Sequence, residues 1–270
     1  MFTRALVIGL LCLIGSAKAD TLRTGGVGAA TNLLPLLSAR SADKDVIAGL
    51  QVIPSLGSSG GLKALAEGAI DMAVSGRPLT AEELKQGMHV VLTVRTPFVM
   101  VTSHDKPNGM NSAEIAEIFR DPKAKWADGS PVRIILRPKG DSDTPLLGGM
   151  FPGMVSALNE ARARHEVTVA ATDQDNADAA ERTPGSLTGS TLTQVKTEQR
   201  PLRMLPIDGV APTPEALESG AYPFSKDLYF VRTPKPSLLA EALVVFLRSP
   251  AGEAALRETG NILVRDPGKT

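Results

Sequence analysis

The chain reads as an α/β protein of two lobes, each a largely parallel sheet flanked by helices. Three observations predict this. From Asp20 onward, short apolar runs alternate with helical segments, the pattern of strands joined by crossover helices. An uncapped break near Thr96 and an extended run near Ser225 suit two crossings between lobes. The last two helices are amphipathic, and terminal helices of this kind usually close over an earlier sheet.

The first segment, "MFTRALVIGLLCLIGSAKAD", has one early positive charge at Arg4, an apolar run from Ala5 to Ile14, and Ala17-Lys18-Ala19 as a small-residue cleavage site. It is expected to be a secretory leader, residues 1–19, because the run falls short of the roughly 18 apolar residues of a membrane span. Then "TLRT" predicts a strand, "GGVGAAT" a glycine loop and "NLLPLLSAR" the start of a helix. "VIAGLQVIPSL" continues as a strand region, "GLKALAEGA" as a helix of about two turns and "IDMAVSG" as a buried strand. Thr80 with Glu83 forms a capping box, so "AEELKQG" is helical and stops at Gly87. "HVVLTV" and "FVMVTS" are two strand-like runs separated by "RTP".

Asn111 with Glu114 caps the helix "SAEIAEIFR", and "VRIILR" is a strand closed by Arg137. "EVTVAAT" follows as a strand and "DNADAAERTPG" as a capped helix ended by Gly185. Thr213-Pro214 places a cap and an N1 proline before "EALESG". "PFSKDLYFVRT" is extended, and "SLLAEALVVFLR" and "PAGEAALRET" are the closing helices, the second ended by Gly260.

Composition excludes several functions. Cys12 is the only cysteine and lies in the leader, so a mature chain has no disulfide framework, thiolate zinc site or cysteine nucleophile. The formal net charge is zero, and loss of Arg4 and Lys18 leaves the mature chain slightly acidic. No basic field of the kind that binds nucleic acid or anionic lipid is present. Anion binding, if any, has to be local.

The stretch "VIPSLGSSGGLKALAEGAIDMAVSG" poses a choice. Gly57-Ser58-Ser59-Gly60-Gly61 matches G-x-S-x-G between a strand and a helix, so Ser59 is a candidate hydrolase nucleophile. The later histidines are His89, His104 and His165, none in a strand-end loop near the C-terminus, where such a fold needs its base. The alternative is an anion cradle: a helix N-terminus offers unpaired N–H groups, glycines allow close approach, and the Ser58 and Ser59 hydroxyls add donors. The same arrangement recurs at Gly26, Gly28, Thr31 and Asn32. It occurs a third time in "RIILRPKGDSDTPLL", where Arg137 closes a strand and Ser142 and Thr144 follow. Each loop alone is more often a simple turn, and a lone arginine is most often a surface ion-pair residue. The recurrence favours the anion. "GVGAAT" departs from the dinucleotide fingerprint at Thr31.

Over nearly the whole mature chain these motifs resemble the periplasmic phosphate-binding proteins of ABC transporters, within the type II solute-binding fold. The residues that carry the resemblance are "GVGAATNLLP", "GSSGGLKALAEGAIDMAVSGRPL", "IAEIFRDPKAKW", "RPKGDSDT", "SGAYPFSKDLYFV" and "FLRSPAGEAALRETG". The resemblance implies an exported, non-enzymatic, monomeric protein without a cofactor. It would capture a small oxyanion, phosphate first, in an interlobe cleft and deliver it to a membrane permease. It divides the mature chain into one lobe of residues 20–96 and 226–270 and another of 97–225. It assigns ligand contacts to Thr31, the Asn32 backbone, Ser58, Arg137, Ser142 and Thr144.

The chain departs from the family pattern at two places. Gly76, with Arg77 beside it, stands where the family has an aspartate that accepts the proton of phosphate. The third loop is one residue longer and carries Asp141 and Asp143. Three expectations stay open. Asp143 or Asp141 supplies the missing acceptor from the opposite lobe, the ligand is another oxyanion, or the cleft has lost transport and the protein is a sensory or interaction protein. Asp71 and Trp126 read as structural residues.

Overall fold

The computed structural model describes residues 21–235 and 237–265; the leader expected over 1–19 lies outside them. Strand β1 (Leu22–Gly26) leads into α1 (Ala30–Ser38), α2 (Lys44–Gly49), β2 (Leu50–Ile53), α3 (Gly57–Ala66), β3 (Met72–Ser75) and α4 (Ala81–Lys85). β1 pairs in parallel with β2 and β3, because each connection crosses over through a helix. Asp43 caps α2 and the Thr80–Glu83 capping box starts α4. Asp71 pairs with Arg23 at 2.8 Å and so ties the start of β3 to β1.

The long strand β4 (His89–Thr102) then leaves this first lobe. The two runs read around "RTP" are one continuous strand, with Pro97 inside it. The second lobe contains α5 (Ile115–Arg120), β5 (Arg133–Leu136), α6 (Asp143–Met150), α7 (Met154–Arg162), β6 (Thr168–Val169), α8 (Asp173–Arg182), β7 (Ser186–Thr191), α9 (Leu192–Thr197), β8 (Arg203–Leu205) and α10 (Pro214–Glu218). Here β5 lies parallel to β6 and β7. The chain returns through β9 (Ser225–Arg232) and closes with α11 (Leu238–Leu247), α12 (Pro250–Glu258) and β10 (Ile262–Leu263).

The main path of the ten-stranded sheet runs β2-β1-β3-β9-β4-β7-β5-β6. The two parallel ends are therefore joined through an antiparallel centre, β9 against β4. Arg95 and Asp227 are register partners there, with Nε–Oδ1 at 2.6 Å and Nη2–Oδ2 at 3.0 Å. Such a cross-strand pair helps to pin register.

Apolar packing separates at this centre. One core gathers Leu22, Leu33, Met72, Val94, Phe230 and Leu243. Another gathers Phe98, Phe119, Leu136, Met154, Leu187 and Tyr222. Trp126 belongs to the second core and donates its indole N–H to the Gly185 carbonyl at 3.1 Å. No helix among the described residues is long and apolar enough to cross a membrane.

Two local readings are corrected. The Gly-Ser stretch is not a loop before a helix, because α3 begins at Gly57 and takes Ser58 and Ser59 into its first turn. The left-handed backbone falls on Ser55 (φ 62°) and Gly57 (φ 65°). Ser59 therefore does not occupy the strained elbow a hydrolase nucleophile requires. Likewise Ser142 is the N-cap of α6, and Asp143 and Thr144 are its first residues.

Candidate functional site: a cleft between the lobes

A cavity of about 260 Å³ lies between the lobes. The first lobe supplies Val27 and Gly28 after β1, the first turn of α3, and Arg77 after β3. The second supplies Arg137, Pro138, Gly140, Asp141 and Ser142, between β5 and α6, and the start of α8 at Thr172, Asp173 and Gln174.

Three helix N-termini thus reach the cavity, but they differ in charge. The first turn of α6 carries Asp143, and that of α8 carries Asp173 and Asp175 with a Thr172–Asp175 capping box. That of α3 has no acidic residue and no side-chain cap. Its unpaired N–H groups and the positive end of its dipole make it the wall most receptive to an anion. Ser58 is buried there and accepts the Gly76 N–H at 2.9 Å. Its own hydroxyl proton remains to be donated.

Arg137 is the cation of the opposite wall, with 8% of the residue exposed. Its Nη1 donates to the Ala170 carbonyl at 2.7 Å, Nη2 to Asp141 Oδ2 at 2.7 Å, and Asp173 Oδ1 lies 3.0 Å from Nη2. Its buried Nε has no hydrogen-bond partner among the described residues. At the mouth Arg77 grips Glu83 at two points, 2.8 and 2.9 Å, with Ser59 Oγ 3.4 Å away. The hydrogen bond from Arg77 holds the Glu83 carboxyl down at about 2.

Behind the wall lies a second buried pair, Lys226 with Asp143. Burial alone would lower the Lys226 ammonium pKa, but Asp143, Asp173 and Asp141 raise it above its usual value. Oxygens of these three carboxylates lie within 4.8 Å of one another. Arg137 and Lys226 set two positive charges against these three carboxylates, so the trio belongs to an ion-pair network with one negative charge in excess.

Of the residues anticipated from sequence, Ser58, Ser59, Arg77, Arg137, Asp141 and Ser142 share the cavity wall. Thr31, Asn32, Gly76, Asp143 and Thr144 lie off it. Thr31 and Asn32 sit inside the first turn of α1, and Asn32 is exposed. Thr144 turns its hydroxyl back to the carbonyls of Arg137 and Pro138, at 3.3 and 2.9 Å. Asp143 is held by Lys226, and Gly76 is covered by Lys226 and Ser142. Sequence reasoning missed Asp173, Gln174 and Lys226. The sequence predicts a capped helix at "DNADAAERTPG", but nothing local places its start opposite Gly28.

A family model described as the PBP superfamily domain matches residues 15–251. The chain belongs to the PBP superfamily. Solved structures agree with this PBP superfamily fold. A Clostridium perfringens structure, described as a phosphate ABC transporter substrate-binding protein with bound phosphate, superposes with TM-score 0.74 at 15% identity, covering 91% of this chain and 100% of that one. A phosphate-binding protein from Stenotrophomonas maltophilia gives 0.66 at 13% identity, over 91% of each chain. An ABC-type phosphate transport receptor from Vibrio cholerae gives 0.60 at 13%, over 89% of this chain and 99% of that one. At these identities the likeness establishes the fold. No curated protein matches the chain in sequence.

Proposed function

We propose that this chain is an exported solute-binding protein that captures a small oxyanion, inorganic phosphate first, between its lobes and hands it to an ABC transporter permease. It binds without chemical conversion. The lobes are residues 20–96 with 226–270, and 97–225, and residues 1–19 are the leader that directs export. The observation that carries the reading is Arg137, a buried guanidinium on the wall of the same cavity as the uncapped start of α3. The phosphate proteins among the structural neighbours support the choice of ligand.

In this reading one face of the anion accepts from the first turn of α3 and from Ser58. The other accepts from Arg137 and Ser142. Charge-assisted hydrogen bonds of this kind contribute about 1.5–3 kcal/mol each. Asp141 and Asp173 beside Arg137 favour an oxyanion that still carries a proton to donate, since a bare anion would face like charge. Both walls touch the ligand only when the lobes are together, so binding shifts the population toward the closed form.

The test is titration calorimetry of the mature chain, refolded to remove carried-over ligand, with phosphate, sulfate, arsenate and molybdate. Phosphate at 100 times its Kd is expected to add about 2.7 kcal/mol of stability. Arg137→Ala is expected to weaken binding by about tenfold or more while the chain stays folded. Unchanged affinity in that variant removes the assignment, and heat with none of the anions removes the reading.

A further inference from the structure

We propose that Lys226, which does not line the cavity, is the positioning residue that sets the spacing at which one oxyanion touches both walls. This rests on the anion-capture reading above. Lys226 is 1% exposed and is the second residue of β9, where the chain returns from one lobe to the other. Its register partner is Thr96 of β4.

Three parts of the molecule meet at this side chain. On the first-lobe side stands Gly76. A Cβ on residue 76 would lie 2.6 Å from Lys226 Cε, 3.1 Å from its Nζ and 3.0 Å from Ser142 Oγ. The end of β3, the returning strand and the loop before α6 therefore close on one another with only a glycine between them. On the second-lobe side the ammonium pairs with Asp143.

Each neighbour leads on to a cavity-lining group. The Gly76 N–H donates to Ser58 Oγ at 2.9 Å. The Asp143 N–H donates to Asp141 Oδ1 at 2.9 Å, and Asp141 Oδ2 accepts from Arg137 Nη2 at 2.7 Å. The line Ser58, Gly76, Lys226, Asp143, Asp141, Arg137 runs behind the cavity from a donor of one lobe to the cation of the other. An anion bound in front closes it into a ring. Parting a buried ammonium from its carboxylate is strongly unfavourable, so the pair favours the arrangement in which the line is intact.

Loss of Lys226 leaves the donors intact but lowers the population in which they converge, and the apparent Kd rises as that fraction falls. The test measures inorganic phosphate binding by calorimetry and the interlobe distance by pulsed EPR. Nitroxides are placed at Val155→Cys on α7 and Leu238→Cys on α11, both exposed, in the chain from residue 20. In Lys226→Met the distance distribution is expected to broaden and phosphate affinity to fall about tenfold or more.

Lys226→Met/Asp143→Leu removes both charges and is expected to regain thermal stability while affinity and distance stay altered. Wild-type affinity and distance in Lys226→Met/Asp143→Leu would make Lys226 a mere core charge and overturn the proposal. If the unmutated chain binds no phosphate, the anion reading fails. The distance in Lys226→Met then decides alone, an altered distribution supporting the positioning role and an unaltered one ending it.

Discussion

Gly28 and Asp173 meet across the cleft with no room for a methyl group between them: a Cβ on residue 28 would lie 2.5 Å from both Cβ and Oδ2 of Asp173. Beside this contact Gln174 Nε2 donates to the Gly28 carbonyl at 3.1 Å. Asp173 is buried and paired with Arg137, so it has nowhere to retreat. Gly28→Ala is expected to hold the lobes apart and weaken phosphate binding about tenfold or more, with little change in thermal stability. Calorimetry and small-angle scattering with and without phosphate check this. A ligand-induced compaction equal to that of the unmutated chain would contradict it.

Arg137 spans the Ala170 carbonyl and the carboxylates of Asp141 and Asp173 with one planar group. Lysine at this position keeps the charge but not the fork. Arg137→Lys is expected to lose about 1–3 kcal/mol of stability, because buried acceptors are left unpaired, and to weaken phosphate binding. Urea denaturation followed by titration of the same preparation separates the two effects.

Glu83 sets an acid limb. Its carboxyl is held at about 2 by Arg77, below its ordinary 4.5. A carboxyl whose folded value is depressed contributes stability above the unfolded value and loses it as pH falls toward the folded one. The contribution is therefore complete above about pH 4.5 and declines toward pH 2. Glu83→Gln is expected to lower stability at pH 7 and to flatten the difference from the unmutated chain below pH 3, measured as Tm against pH.

Tyr222 is fully buried and donates its hydroxyl to the Phe98 carbonyl at 2.8 Å. Tyr222→Phe keeps the ring and strands the carbonyl, so a loss of about 1–2 kcal/mol is expected. Phosphate affinity should stay unchanged, since neither residue lines the cavity. Chemical denaturation and calorimetry give the two numbers.

What the sequence carried was what depends on near neighbours. The Thr80–Glu83 box, the Thr213-Pro214 start and the Gly260 stop are readable because cap and helix are a few residues apart, and each stands in the structure. The Gly-Ser stretch misled because glycine and serine are common in turns as well as in the open first turn of a helix. The partner of Asp143 was invisible for another reason. Lys226 lies 83 residues further on, and only the return of β9 beside β4 brings them together. Gln174 and Gly28 are 146 residues apart, so their meeting is a property of the closed lobes. Thr144 shows the converse. Its residue type fits an anion site, yet its hydroxyl is consumed by carbonyls seven and six residues back, in the loop before α6.

The antiparallel centre also orders events in time. Arg95 and Asp227 are 132 residues apart, and β9, α11 and α12 all pack with strands formed before residue 95. As the chain emerges N-terminus first, the second lobe has its own strands and helices complete by α10, while the first still lacks a central strand and two helices. Closing so long a loop raises the entropic cost of that step and slows it. The first lobe is thus the last to mature, and the cleft comes into being only with the final forty or so residues of the chain.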